Sequence, residues 1–105
     1  MATTRDYLAF VMEQLPAEVA NRAMMGEYVL YYRGRVFGGL YDNRLLVKPI
    51  PAALALLPQA RQELPYDGAK PMLLVEDMED REFLARLLEA MYPQLLEPKK
   101  KKSNA

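Results

Sequence analysis

Two dipeptides, Arg33-Gly34 and Asp42-Asn43, constrain this chain more than any other feature. The first stands between Tyr32 and Arg35 and the second between Tyr41 and Arg44, each flanked by runs rich in Val, Tyr, Phe and Leu. Both consist of residue types that tolerate positive φ, so both predict two-residue hairpins within an antiparallel meander from Ala20 to Lys48. Gly26 marks an earlier bend, after a shorter strand near Arg22 to Met25.

Counting outward from the two turns opposes Leu30 to Phe37 and Leu40 to Leu45. One face then carries Val29, Tyr31, Val36, Gly38, Leu40, Leu45 and Val47, nearly all aliphatic, and is the face expected beneath helices. The other carries Tyr28, Leu30, Tyr32, Arg35, Phe37, Gly39, Tyr41, Arg44, Leu46 and Lys48, aromatic and basic together. A slip of one residue exchanges the two sets.

The flanks read as helices. Thr3 is placed to cap a helix with Asp6 near its positive end, and Leu8, Val11, Met12 and Leu15 form one face of it before Pro16 stops it. Ala52 to Leu57 reads as a short helix with Pro51 in its first turn. Pro65-Tyr66-Asp67-Gly68 is a turn, and Met72-Leu73-Leu74-Val75 is short enough for one more strand. A last helix, capped by Asp77, aligns Leu84, Leu87, Leu88, Met91 and Leu95, with Pro93 ending it near Tyr92. The predicted class is α+β: two layers, an antiparallel sheet with helices packed on one face, in the order helix, four strands, helix, strand, helix. Residues 1–97 form one domain and 98–105 a disordered lysine-rich tail.

At 105 residues and 51% hydrophobic, the chain can close one core without disulfide or metal staples. What is missing narrows the function. His, Cys and Trp are absent and the only serine is Ser103, which removes the imidazole base, the usual nucleophile pairs and zinc's nitrogen and sulfur ligands. The expectation is a protein that is not an enzyme, with no catalytic residue, cofactor or metal. With no charged leader before a long apolar run, it is also expected to be cytoplasmic and not membrane-bound. Lys+Arg and Asp+Glu are both 14, but Lys99, Lys100, Lys101 and Lys102 hold four of the cations, so the remainder is mildly acidic. That composition does not suit a globally basic nucleic-acid binder.

The expected partner surface is the aromatic and basic face, with Tyr28, Tyr32, Arg35, Phe37, Tyr41, Arg44 and Lys48. Tyr and Arg are enriched at protein interfaces, including self-complementary ones, so a protein partner or a homodimer is expected. The same types stack on bases and meet phosphates, which keeps direct nucleic-acid binding, aided by the lysine tail, as the alternative. The cluster Glu76, Asp77, Glu79, Asp80 and Glu82 has carboxylates for a hard cation but lacks the spaced, glycine-turned loop of an EF-hand, and a helix dipole accounts for it. Gly38 and Gly39 in mid-strand call for a close approach, first by a packed helix, otherwise by a bulge or a ligand.

The stretch Arg22-Ala23-Met24-Met25-Gly26-Glu27-Tyr28 is followed by Leu30-Tyr31-Tyr32, the Gly34 turn, Val36-Phe37, Asp42, Leu45, Val47-Lys48 and Gly68-Ala69-Lys70-Pro71. In this it resembles the TfoX/Sxy N-terminal domain family, over roughly residues 3 to 92, with Met25 where many members carry phenylalanine. The resemblance implies a compact bacterial α+β domain, and the family's namesakes promote expression of genes for natural competence. Those namesakes carry a further C-terminal helical domain, so the expectation is a stand-alone, non-enzymatic member acting as a protein-interaction or accessory transcriptional-regulation module. No catalytic or ligand residues transfer from the family. Met24, Gly26, Tyr28, Gly34 and Lys48 are carried over as family-typical, with a structural role.

Overall fold

Three turns of the same hand organise the chain. In Met25-Gly26, Arg33-Gly34 and Asp42-Asn43 both residues have positive φ (51° and 87°, 51° and 84°, 54° and 57°), the type I′ geometry whose twist matches that of the strands it joins. In a computed structural model describing residues 2–96, these turns link β1 (Val19–Met24), β2 (Glu27–Tyr32), β3 (Arg35–Leu40) and β4 (Leu45–Val47). The first strand therefore begins three residues before the expected Arg22. Two later strands, β5 (Gln62–Glu63) and β6 (Met72–Val75), complete an antiparallel sheet of order β1-β2-β3-β4-β6-β5. The fold is two-layer α+β, as expected, with β5 as an additional strand. The lysine-rich tail lies outside the described residues.

The helices are α1 (Arg5–Gln14), α2 (Pro51–Leu56) and α3 (Arg81–Met91), the last extended by a 3-10 turn at Tyr92–Gln94. Thr4 rather than Thr3 caps α1, its Oγ1 accepting from the Tyr7 N–H at 3.1 Å, because the Thr3 hydroxyl is held by Glu27 and by the Asn43 N–H. Asp80 rather than Asp77 caps α3, accepting from the Phe83 N–H at 3.0 Å. Asp77 accepts from the Glu79 N–H instead. The acidic cluster thus serves the helix end, and among the described residues no group of three or more acidic side chains could hold a metal ion.

The helix layer covers one sheet face. Val11 and Leu15, Ala53, and Leu84, Leu87, Leu88 and Met91 meet Leu30, Phe37, Leu40, Leu45, Val47, Leu73 and Val75, all buried. Each of these side chains larger than alanine contributes about 2 kcal/mol by leaving water.

The expected division of faces fails at one position. Leu40 opposes Leu45, as counted, but Leu30 opposes Gly38 and not Phe37, because the register shifts between Leu30 and Tyr31. Phe37 is the extra residue of a β-bulge: the β2–β3 ladder resumes at Leu30 with Gly38, and on the β4 side the Lys48 N–H donates to the Phe37 carbonyl at 2.9 Å. One extra residue reverses parity. Tyr28, Leu30, Tyr32, Arg35 and Phe37 therefore join Leu40, Leu45 and Val47 beneath the helices, while Val29, Tyr31 and Val36 pass to the open face. Gly38 shows why the bulge sits here. A Cβ on it would overlap the Leu46 carbonyl oxygen and lie 2.9 Å from Val47 Cα, so only glycine lets the bent strand pair with β4. The close approach is that of a neighbouring strand, not of a helix.

A candidate docking cleft on the open face of the sheet

Of the seven residues expected on the partner surface, four are withdrawn by the bulge. Phe37 is fully buried and Tyr32 is 2% exposed. Tyr28 is half-buried against the core, and Arg35 lies over the Tyr92 ring at 4.3 Å while donating to the Tyr92 carbonyl at 3.1 Å. Tyr32 anchors a latch between β2 and α3. Its hydroxyl donates to the Glu89 carboxylate at 2.8 Å, which also accepts from Arg33 at 2.9 Å, and its ring meets Tyr92 edge-on at 5.8 Å. Burial, reinforced by the hydrogen bond to Glu89, pushes the Tyr32 phenol up to about 12 against the opposing pull of Arg33. This is a structural cluster.

Tyr41, Arg44 and Lys48 remain on the open side, and two of them build a cleft. Tyr41 folds back over Gly39, whose hypothetical Cβ would stand 2.7 Å from its ring, and packs against Tyr66 with centroids 6.2 Å apart. Burial, then the neighbouring Tyr66 and Glu27, raise the Tyr41 phenol above its ordinary value. Arg44 ties down the segment that follows β5: it donates to Glu63 at 2.7 Å, to the Leu64 carbonyl at 3.2 Å and to the Tyr41 carbonyl at 2.9 Å. That clamp lays Pro65 and Tyr66 across the sheet. Lys48 lies on the far side of Tyr41, Pro65 and Tyr66, lining an adjoining hollow with Lys70 and Met72.

The result is a two-part cleft. One part, about 430 Å³, is lined by Met24, Met25, Glu27, Tyr41, Pro65 and Tyr66. The other, about 400 Å³, shares Glu27, Pro65 and Tyr66 and adds Asp42, Arg44, Leu64 and Asp67. Its walls include most of the large apolar side chains that the fold leaves in water: Met24, Met25, Leu64 and Tyr66, with Met25 97% exposed. Its rim is acidic, since Arg44 is already matched by Glu63 while Asp42 and Asp67 have no counterion among the described residues.

Glu27 is held rigidly. Its carboxylate accepts from the Thr3 hydroxyl at 2.7 Å and from the Asp42 N–H at 3.1 and 3.2 Å. The Thr3 N–H donates to the Gly26 carbonyl and the Thr4 N–H to the Asn43 side chain, both at 3.0 Å. Residues 3 and 4 thereby stitch the β1–β2 turn to the β3–β4 turn, fixing the hairpin-tip wall of the cleft, while Arg44 holds the Pro65-Tyr66 wall. Met24 and Gly26 fall at the β1–β2 end of the cleft, and Gly34 in the middle turn. Met25, Glu27, Leu64, Tyr66 and Asp67 were not singled out as site residues. Tyr66 and Asp67, in the Pro65-Tyr66-Asp67-Gly68 turn, and Met25, beside the Gly26 bend, carry local signals of exposure.

No family model and no solved structure matches the chain. Over 80 residues, 74% of this chain and 70% of the relative, it is 39% identical to an uncharacterised 12.7 kDa protein in the trpE 5′ region of Spirochaeta aurantia. The chain belongs to that protein's family. Both are small chains of matching mass, 12.0 and 12.7 kDa.

Proposed function

We propose that this protein is a TfoX-like N-terminal domain that works by protein contact, as an accessory in transcriptional regulation, and that it docks its partner in the cleft between the hairpin tips and Tyr66. The observation that carries the reading is the convergence of Met24, Met25, Leu64 and Tyr66, all exposed, on one cleft. Methionine and tyrosine side chains suit a surface that must adapt to a partner. The uncompensated carboxylates of Asp42 and Asp67 favour a segment in which an apolar side chain lies beside a lysine or arginine. The motif resemblance supports the TfoX assignment, and the lack of His and Cys supports a non-enzymatic role. Direct nucleic-acid binding has less support, since Arg35 and Arg44 are engaged within the chain and the cleft is rimmed by acids.

A photo-crosslinking residue placed at position 66 in the cells that make the protein tests this. It should give a discrete protein adduct that position 5, on the exposed surface of α1, does not, and Met25→Glu should abolish it. Adducts that are equal at both positions, insensitive to Met25→Glu, or made of nucleic acid contradict the proposal.

A further inference from the structure

The two edges of the sheet are unlike. At one edge β5 has only two residues and carries Glu63, the short, charged kind of edge that resists pairing. At the other, β1 is six residues long, pairs without irregularity and contains no proline or lysine. Ala20 to Met24 are all exposed, including Asn21 and Ala23, which point to the helix side of the sheet.

Hydrogen-bond parity identifies which groups this edge offers. The two-residue Met25-Gly26 turn makes Met24 and Glu27 a bonded pair, so Arg22 and Ala20 also bond to β2. The Arg33 N–H donating to the Glu18 carbonyl at 3.3 Å continues the same alternation. Val19, Asn21 and Ala23 therefore direct N–H and C=O outward. The Val19 N–H is taken by the Pro16 carbonyl at 3.0 Å. Asn21 and Ala23 remain, with both backbone groups unpaired among the described residues. Between them lies Arg22, exposed and without an ion pair among the described residues.

We propose that β1 is a docking edge for an extended segment of another protein that sets a carboxylate opposite Arg22. A strand bonded antiparallel to Asn21 and Ala23 places its middle residue against Arg22 at a non-bonded position, where side chains across a ladder come closest. A second copy fits poorly. The register that satisfies Asn21 and Ala23 in both copies opposes Arg22 to itself, and the register centred on Asn21 needs the Val19 N–H that Pro16 already holds. The edge is independent of the cleft, because it rests on backbone groups of Asn21 and Ala23.

The probe is a capped peptide of alternating threonine and valine with a central glutamate, compared with its central-lysine twin, titrated into the full chain. At saturation, amide exchange at Asn21 and Ala23 should slow about tenfold, the lysine twin should bind about threefold more weakly, and Arg22→Glu should reverse that order. Ala23→Pro should keep the fold, since the sheet does not use that N–H, and weaken the peptide about tenfold. Tyr66→Ala should leave pairing unchanged, which separates this edge from the cleft. No slowing at Asn21 and Ala23 with either peptide, equal affinity for both, or slow exchange in the chain alone with a dimer in sedimentation overturns the proposal.

Discussion

The β2–β3 and β3–β4 hairpins share β3 and turn through the same type I′ geometry, yet they obey different counting rules. In β3–β4, Tyr41 and Arg44 exchange backbone hydrogen bonds at 2.9 and 3.1 Å, and the pairs Leu40 with Leu45 and Gly38 with Val47 follow by subtraction. In β2–β3 the count holds for Tyr32 with Arg35 and Tyr31 with Val36, then breaks at Phe37. Turn chemistry fixes register only up to the first bulge. Beyond it the core decides: the bulge lets Phe37 and Leu40, which have opposite parity, both reach the helices.

The largest expected effects come from removing the bulge or its contents. Gly38→Ala puts a methyl group into the backbone of β4 and should cost on the order of 4 kcal/mol in urea unfolding. Phe37→Ala should cost about 4 kcal/mol against under about 1 kcal/mol for Val36→Ala, a contrast that an unbulged strand would invert. Next comes alkaline pH. The folded chain holds the Tyr32 proton more tightly than the unfolded chain, so stability is full below pH 10 and falls as pH rises towards 12, by about 3 kcal/mol from this group. Tyr32→Phe should remove that component of the pH dependence, as read from denaturation midpoints across the range.

The β3–β4 side should respond more mildly. Arg44→Ala breaks a half-buried ion pair and two bonds to carbonyl oxygens, for an expected loss of about 1–2 kcal/mol by thermal unfolding, and should free the segment around Tyr66. Tyr66→Ala should change stability by under about 0.5 kcal/mol, because that ring is 61% exposed, while abolishing the adduct of a crosslinking residue placed instead at position 24, on the facing wall.

Local signals were sufficient where the cause was local. Pro16 stops α1, Pro51 starts α2, the apolar run from Met72 to Val75 is β6, and the two dipeptide turns are where their residue types require. The caps moved by one residue and by three because competing partners decided them: Glu27 holds Thr3, and Glu79 holds Asp77. The bulge was legible only as a question. Gly38-Gly39 announced a close approach, but β4, which makes it, pairs through a turn that either parity allows. The cleft was least legible, since it depends on Arg44 reaching Glu63 and Leu64 across 19 and 20 residues of sequence and on residues 3 and 4 joining two turns. Those contacts have no periodic signature.

Hydroxyl-radical footprinting of the unmodified chain tests the reversal of faces most directly, because it reads side-chain exposure at neighbouring positions in one spectrum. Tyr31 should be oxidised readily, with Tyr32 and Phe37 protected. Ready oxidation of Phe37 and Tyr32 with Tyr31 shielded would contradict the bulge and return the aromatic face to the surface.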